Sequence, residues 1–150
     1  MSEGEGGWGI ADGSWLVGDG GWVVVMGRFS FEDLEVWQRA VQFAELVIIS
    51  SEKWKTSGKH YRLLEQLESS ATSVAMNIAE GKGRYSQKEF INYLYIARGS
   101  LYEVITLLVI VEKLGWIDKN ALETYRNEAA IIGKMLSKLV TSLKKQLNSS

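Results

Sequence analysis

Asn77-Ile78-Ala79-Glu80-Gly81-Lys82-Gly83-Arg84 is the stretch on which the fold turns. Upstream of it, apolar residues recur at three- and four-residue spacing through Leu64, Leu67, Ala71, Val74 and Ile78, the pattern of a helix with one buried face. Glu80-Gly81 reads as the end of that helix, because glycine enters the left-handed conformation that closes a helix without a Cβ clash. Just downstream, Ser86-Gln87-Lys88-Glu89 has the form of a capping box, with Ser86 accepting from the Glu89 amide and the Glu89 side chain reaching back. The chain reverses between these signals, and a helical hairpin is predicted around the corner.

The same rhythm occurs three more times on either side. Leu34, Trp37, Val41, Ala44 and Ile48 form a first seam after the cap signal Ser30-Phe31-Glu32-Asp33, and Lys53 to Lys59, with Gly58, breaks it. A third runs through Phe90, Leu94, Ala97, Leu101, Val104, Leu108 and Val111 and stops near Gly115. The fourth, after Asp118 as N-cap, is Leu122, Tyr125, Ala129, Ile132, Leu136, Leu139 and Leu143. The chain has no proline, so no ring clash or missing amide interrupts these runs. Four seams with short connections predict an all-α, antiparallel up-down four-helix bundle over residues 31–150.

Two helices carry more apolar surface than one seam needs. On the third, Tyr93, Ile96, Leu107, Ile110 and Leu114 form a second stripe interrupted by Ser100 and Glu103; the first adds Phe43, Leu46, Val47 and Ile49. Two readings fit: a broad core-facing surface, or burial against another subunit.

Residues 1–30 are of another kind. They hold nine of the fifteen glycines and repeat every seven residues as Glu5-Gly6-Gly7-Trp8, Asp12-Gly13-Ser14-Trp15 and Asp19-Gly20-Gly21-Trp22. Glycine at this density opposes helix, so a coiled coil is excluded and a Gly/Trp-rich, non-helical leader is expected. A small β-meander with Asp-Gly turns and a largely unstructured low-complexity segment both fit, and the second is the expectation adopted. A short repeat of this kind also fits translated upstream sequence, with Met26 as the native start. Gly4-Glu5-Gly6-Gly7-Trp8-Gly9 matches a dinucleotide-binding fingerprint by letter, yet it lacks the strand and helix that give that motif its meaning. The apolar run from Trp22 to Met26 is too short for a signal peptide or a membrane span, and a cytoplasmic location without membrane partners is expected.

Composition narrows the chemistry. With no cysteine, disulfides, thiolate nucleophiles and thiolate metal sites are excluded. The one histidine, His60, has no glutamate three residues before it, so the Glu-x-x-His pairs of a ferritin-like dimetal centre are missing. No catalytic, cofactor or metal residues are expected, and the chain is read as non-enzymatic. Net charge is −3 over residues 1–30 and +2 over the remaining 120, a balance that neither demands nor excludes nucleic acid.

One polar row borders the second seam. Gln66, Ser70, Ser73, Asn77 and Glu80 keep the helical rhythm, with Ser100 and Glu103 at matching height on the third helix. A network among Ser73, Asn77, Glu80 and Ser100, with Arg84 or Arg98, would fix register; the same cluster also fits a ligand or nucleic-acid site. Separately, Lys134, Lys138 and Lys145 fall on one stripe of the fourth helix with Lys144 adjacent, and Lys82 and Arg84 sit at the corner. These are the candidate nucleic-acid contacts.

Phe31-Glu32-Asp33-Leu34-Glu35-Val36-Trp37-Gln38-Arg39-Ala40, Gln66-Leu67, Ser73, Asn77 to Gly81, Gly83-Arg84, Glu89-Phe90, Ile96 to Ser100 and Glu103 together closely resemble the four-helix bundle proteins encoded in bacterial 23S rRNA intervening sequences. The resemblance spans roughly Phe31 to Leu147. It implies a left-handed antiparallel bundle, a homopentameric barrel-like assembly, and kinship with the accessory variability proteins of diversity-generating retroelements, which bind nucleic acid and a reverse transcriptase. Where that family commonly has a basic pair after Gln-Leu, this chain has Glu68-Ser69. The resulting expectation is a homo-oligomeric scaffold that binds RNA or a ribonucleoprotein weakly, with a protein–protein adaptor as the rival.

Overall fold

The computed structural model describes residues 15–18, 21–24, 27–56 and 58–149. Four helices dominate: α1 Glu35–Ser51, α2 Tyr61–Lys82, α3 Gln87–Lys113 and α4 Lys119–Ser149. Ahead of them, strands β1 Trp15–Gly18 and β2 Gly21–Val24 pair antiparallel, with Trp15 opposite Val24 and Gly18 opposite Gly21. This hairpin belongs to the β alternative for the leader; the first tryptophan repeat and Met26 lie outside the described residues.

α1 packs on α2 and α4, and α3 packs on the same two, so the helices close a ring around one core. Gln66 meets Glu103, Ser73 meets Ser100, and Gly81 meets Phe90, which gives α2 and α3 opposite directions. Gln87 meets Gln146 while Leu101 meets Gly133, which does the same for α3 and α4. At one end the His60 and Trp116 rings meet at a tilt with centroids 4.8 Å apart, bringing the α1–α2 and α3–α4 connections together.

All seven residues of the third predicted seam are buried, as are Leu67, Ala71, Val74 and Ile78 on α2 and six of the seven on α4, Leu139 being half-buried. By length and composition α3 is apolar enough to cross a membrane, and its wholly buried seam accounts for much of that composition. The first seam differs from the prediction. α1 buries Val36, Ala40, Phe43, Ala44 and Val47, whereas Val41 is exposed and Leu34, Trp37 and Ile48 are half-buried. Ser30-Phe31-Glu32-Asp33 is itself a 3-10 helix rather than an N-cap, and the α-helix starts only at Glu35. Gln38 Nε2 donates to the Glu32 carbonyl at 2.7 Å and fixes that junction.

The glycines also exchange the roles expected of them. Gly81 does not end α2; the helix continues to Lys82 and Gly83 caps it in right-handed geometry. A Cβ on Gly81 would lie 2.6 Å from Tyr93 Cβ and 2.9 Å from Phe90 Cδ1, so glycine is needed there for close approach of α3. The left-handed glycine is Gly115, at φ 84°. Its amide donates to the Glu112 carbonyl at 2.9 Å and that of Trp116 to Val111 at 3.1 Å, the paired bonds of a Schellman motif. Ser86 Oγ accepts from the Glu89 amide at 3.2 Å, and Asp118 Oδ1 from the Ala121 amide at 2.8 Å, as their spacing predicts.

Candidate functional site

The polar row on α2 forms three separate contacts with α3 instead of one continuous network. Nearest the α1–α2 connection, Gln66 Nε2 donates to Glu103 Oε2 at 3.1 Å. In the middle, Ser73 Oγ and Ser100 Oγ lie 2.9 Å apart, and Asn77 Nδ2 donates both to Ser73 Oγ at 2.9 Å and to the Ser73 carbonyl at 2.8 Å. At the corner, Arg84 Nη2 donates to Glu80 Oε2 at 2.7 Å and to Tyr93 Oη at 2.6 Å, with its guanidinium 4.9 Å from the Tyr93 ring centre. Small residues on α2 let these short side chains meet across the gap.

The row is shallower than a core network. Ser70 is buried, Ser73, Asn77 and Ser100 are half-buried, and Gln66, Glu80 and Glu103 are exposed. An open groove of about 700 Å³ runs beside it, lined by Arg62, Glu65, Gln66, Ser69, Ser70, Ser73 and Glu103. Two carboxylates against one guanidinium make this groove unfavourable for phosphate. Its hydroxyls and amide suit hydrogen bonding to a neutral or polypeptide surface.

Apolar side chains flank the same face. Ile96, Glu103 and Ile110 are seven residues apart and therefore share a stripe of α3; Ile96 is 51% and Ile110 42% exposed. Leu114 continues the stripe at 50%, and Met76 on α2 is 66% exposed. Leu107, expected in the same stripe, is instead buried in the core, and Tyr93 is half-buried against Arg84.

The candidate nucleic-acid contacts divide by environment. Lys134, Lys138, Lys144 and Lys145 are exposed, and none forms an ion pair among the described residues. Arg84 is engaged by Glu80 and Tyr93, leaving Lys82 as the freer charge at the corner. Arg98 does not join the polar row; its guanidinium lies 5.0 Å from the Tyr95 ring centre and 6.0 Å from that of Tyr102. Lys144 Nζ lies 5.5 Å from the centre of the same Tyr95 ring. Sequence reading missed this row because Tyr95, Arg98 and Tyr102 become a unit with Lys144 only once α4 packs on α3. Among the described residues, no group of three or more His, Asp or Glu side chains is placed to hold a metal ion.

Fold and site together define a protein built on four α-helices, with a short β-hairpin ahead of them, whose central helix pair is joined by short polar contacts. Residues 32–138 match the model of the 23S rRNA-intervening sequence protein family, and the chain belongs to that family. Among solved structures, a protein of unknown function of the S23 ribosomal protein family from Bacteroides thetaiotaomicron VPI-5482 superposes with a TM-score of 0.65 at 24% identity. The match covers 71% of this chain and 95% of that one, a likeness of fold. No curated protein matches the chain.

Proposed function

We propose that this protein is a non-enzymatic, self-associating helical scaffold that binds RNA or a ribonucleoprotein in the cytoplasm. The observation that carries the RNA part is the exposed stripe Lys134, Lys138 and Lys145 with Lys144 beside it, cations that no carboxylate neutralises among the described residues. Uncompensated cations on one helix attract phosphate and release its counterions. Self-association is supported by Ile96, Ile110, Leu114 and Met76, exposed beside the polar row. The finer architecture fits this role: an up-down antiparallel bundle with left-handed twist, assembled as a pentamer, as the resemblance implies. A reverse transcriptase or other protein is a further candidate partner on the same grounds.

In solution, weak binding of structured RNA or DNA with little sequence preference is expected, falling steeply between low and moderate salt. Gel shifts on structured RNA test it. Replacing Lys134, Lys138 and Lys145 together should abolish the shift, whereas replacing Lys82 with Arg84 should weaken it less, because Arg84 is already paired. The groove lined by Glu65, Gln66 and Glu103 favours a second reading, a protein–protein adaptor without nucleic acid. No shift at low salt would select it.

A further inference from the structure

The groove between α3 and α4 offers something that phosphate attraction alone does not require. It encloses about 680 Å³, within the range of small-ligand sites, and its floor is apolar, with Leu101, Ile105, Ala129 and Gly133. It stays open because α4 contributes small residues there. A Cβ on Gly133 would meet Leu101 Cδ2 at 3.8 Å, an ordinary contact, so helix packing does not demand the glycine. Tyr102 lines the groove and is 61% exposed, which leaves most of its surface unused by the fold.

From Tyr102, a row of alternating cations and aromatic rings continues beyond the groove's lining: Arg98 lies 6.0 Å from Tyr102 and 5.0 Å from Tyr95, and Lys144 lies 5.5 Å over Tyr95. Lys134 lines the opposite wall. Arg126 also lines the groove, paired with Glu123, and none of the lining residues is a carboxylate. Positive charge therefore dominates the groove, in contrast to the one between α2 and α3.

We propose that the α3–α4 groove binds single-stranded RNA, with an unpaired base stacked on Tyr102 beside Arg98 and the flanking phosphates held by Lys134 and Lys144. This rests on the nucleic-acid reading above and adds the strandedness, the groove and the stacking residues. An aromatic face beside a guanidinium accepts any unstacked base, whereas a duplex keeps its bases stacked inside and offers only backbone and groove edges. An apolar floor would be wasted on a duplex.

Fluorescence anisotropy on the full chain, with a labelled 12-nucleotide single strand of mixed sequence and a hairpin duplex of equal charge, separates the possibilities. The single strand should bind more tightly. Tyr102→Ala should weaken it about 5–100-fold with the salt slope unchanged, and Tyr102→Phe should restore it. Lys134→Ala should instead flatten the salt slope. Because Tyr102 is exposed, the alanine variant is expected to melt as the parent does, which a thermal scan checks. RNA binding indifferent to Tyr102→Ala, or a duplex bound as tightly as the single strand, overturns this inference and leaves the nucleic-acid reading standing. Binding of neither RNA overturns both.

Discussion

Gly81 and Gly99 are two helical glycines with opposite demands on their surroundings. At Gly81 an added Cβ would meet Tyr93 Cβ at 2.6 Å, an atom fixed to the α3 backbone, so α3 itself must shift. At Gly99 nothing lies within 4 Å. Alanine is the better helix former by about 1 kcal/mol, and overpacking costs about 1–3 kcal/mol. Gly99→Ala should therefore stabilise by about 0.5–1 kcal/mol, while Gly81→Ala should destabilise by up to about 2 kcal/mol net. Urea melts of the two variants decide it, and equal midpoints would mean that α2 and α3 are not held this closely. The same residue shows what the sequence hides: a glycine near a helix end signals either a left-handed turn or a close approach. Only the partner helix distinguishes them, and here Gly115 takes the turn and Gly81 the approach.

Between α2 and α3, the Ser73–Ser100 pair is the one contact of the polar row made by two half-buried side chains, one from each helix. Removing either hydroxyl leaves the other with less to bond, although Asn77 still donates to Ser73. A double-mutant cycle on Ser73→Ala and Ser100→Ala should give a coupling of about 0.5–1.5 kcal/mol in thermal or urea melts. A coupling indistinguishable from zero would remove the row as a register device. Much of this element-level pattern was legible in the sequence, because seam and row on α2 and α3 each have a single consistent period. α1 was less so. Its two interleaved apolar sets fit the helical period equally well, and packing on α2 and α4 buries Phe43 and Val47 from the second and Ala44 from the first, with Val36 and Ala40, which belong to neither. The division of the polar row into three contacts was not legible either, since it depends on side-chain reach. Arg98 had two directions open to it, and only the rings of Tyr95 and Tyr102 settle which one it takes.

At the scale of the whole molecule, two unlike groups of exposed apolar side chains stand out from single ones such as Phe29 and Ile131. One comprises Met76, Ile96, Ile110 and Leu114 beside the polar row; the other is on the outer side of α1, where Leu46 is 36% and Ile49 46% exposed, next to Gln42, Glu45 and Lys53. A two-fold dimer uses the same patch on both partners, whereas two different patches meeting head to tail generate a ring if the rotation closes. The second arrangement gives each patch a partner without leaving one exposed. The family resemblance supplies the number, five. Light scattering on the full chain is accordingly expected to give a mass near five subunits. Ile96→Glu with Ile110→Glu should reduce it to a single subunit while the helical circular dichroism persists, because both side chains are partly exposed already. The α1 pair, Leu46→Glu with Ile49→Glu, should do the same. A mixture of either double variant with the other is the decisive case. In a head-to-tail interface each variant retains the patch the other has lost, so the mixture should form one productive contact and yield a heterodimer. With a same-patch interface at Ile96 and Ile110, the α1 variant would keep the parent mass by itself and the mixture would gain nothing. A parent chain that is monomeric at micromolar concentration would remove the apolar patches as an assembly surface and the five-subunit expectation with them.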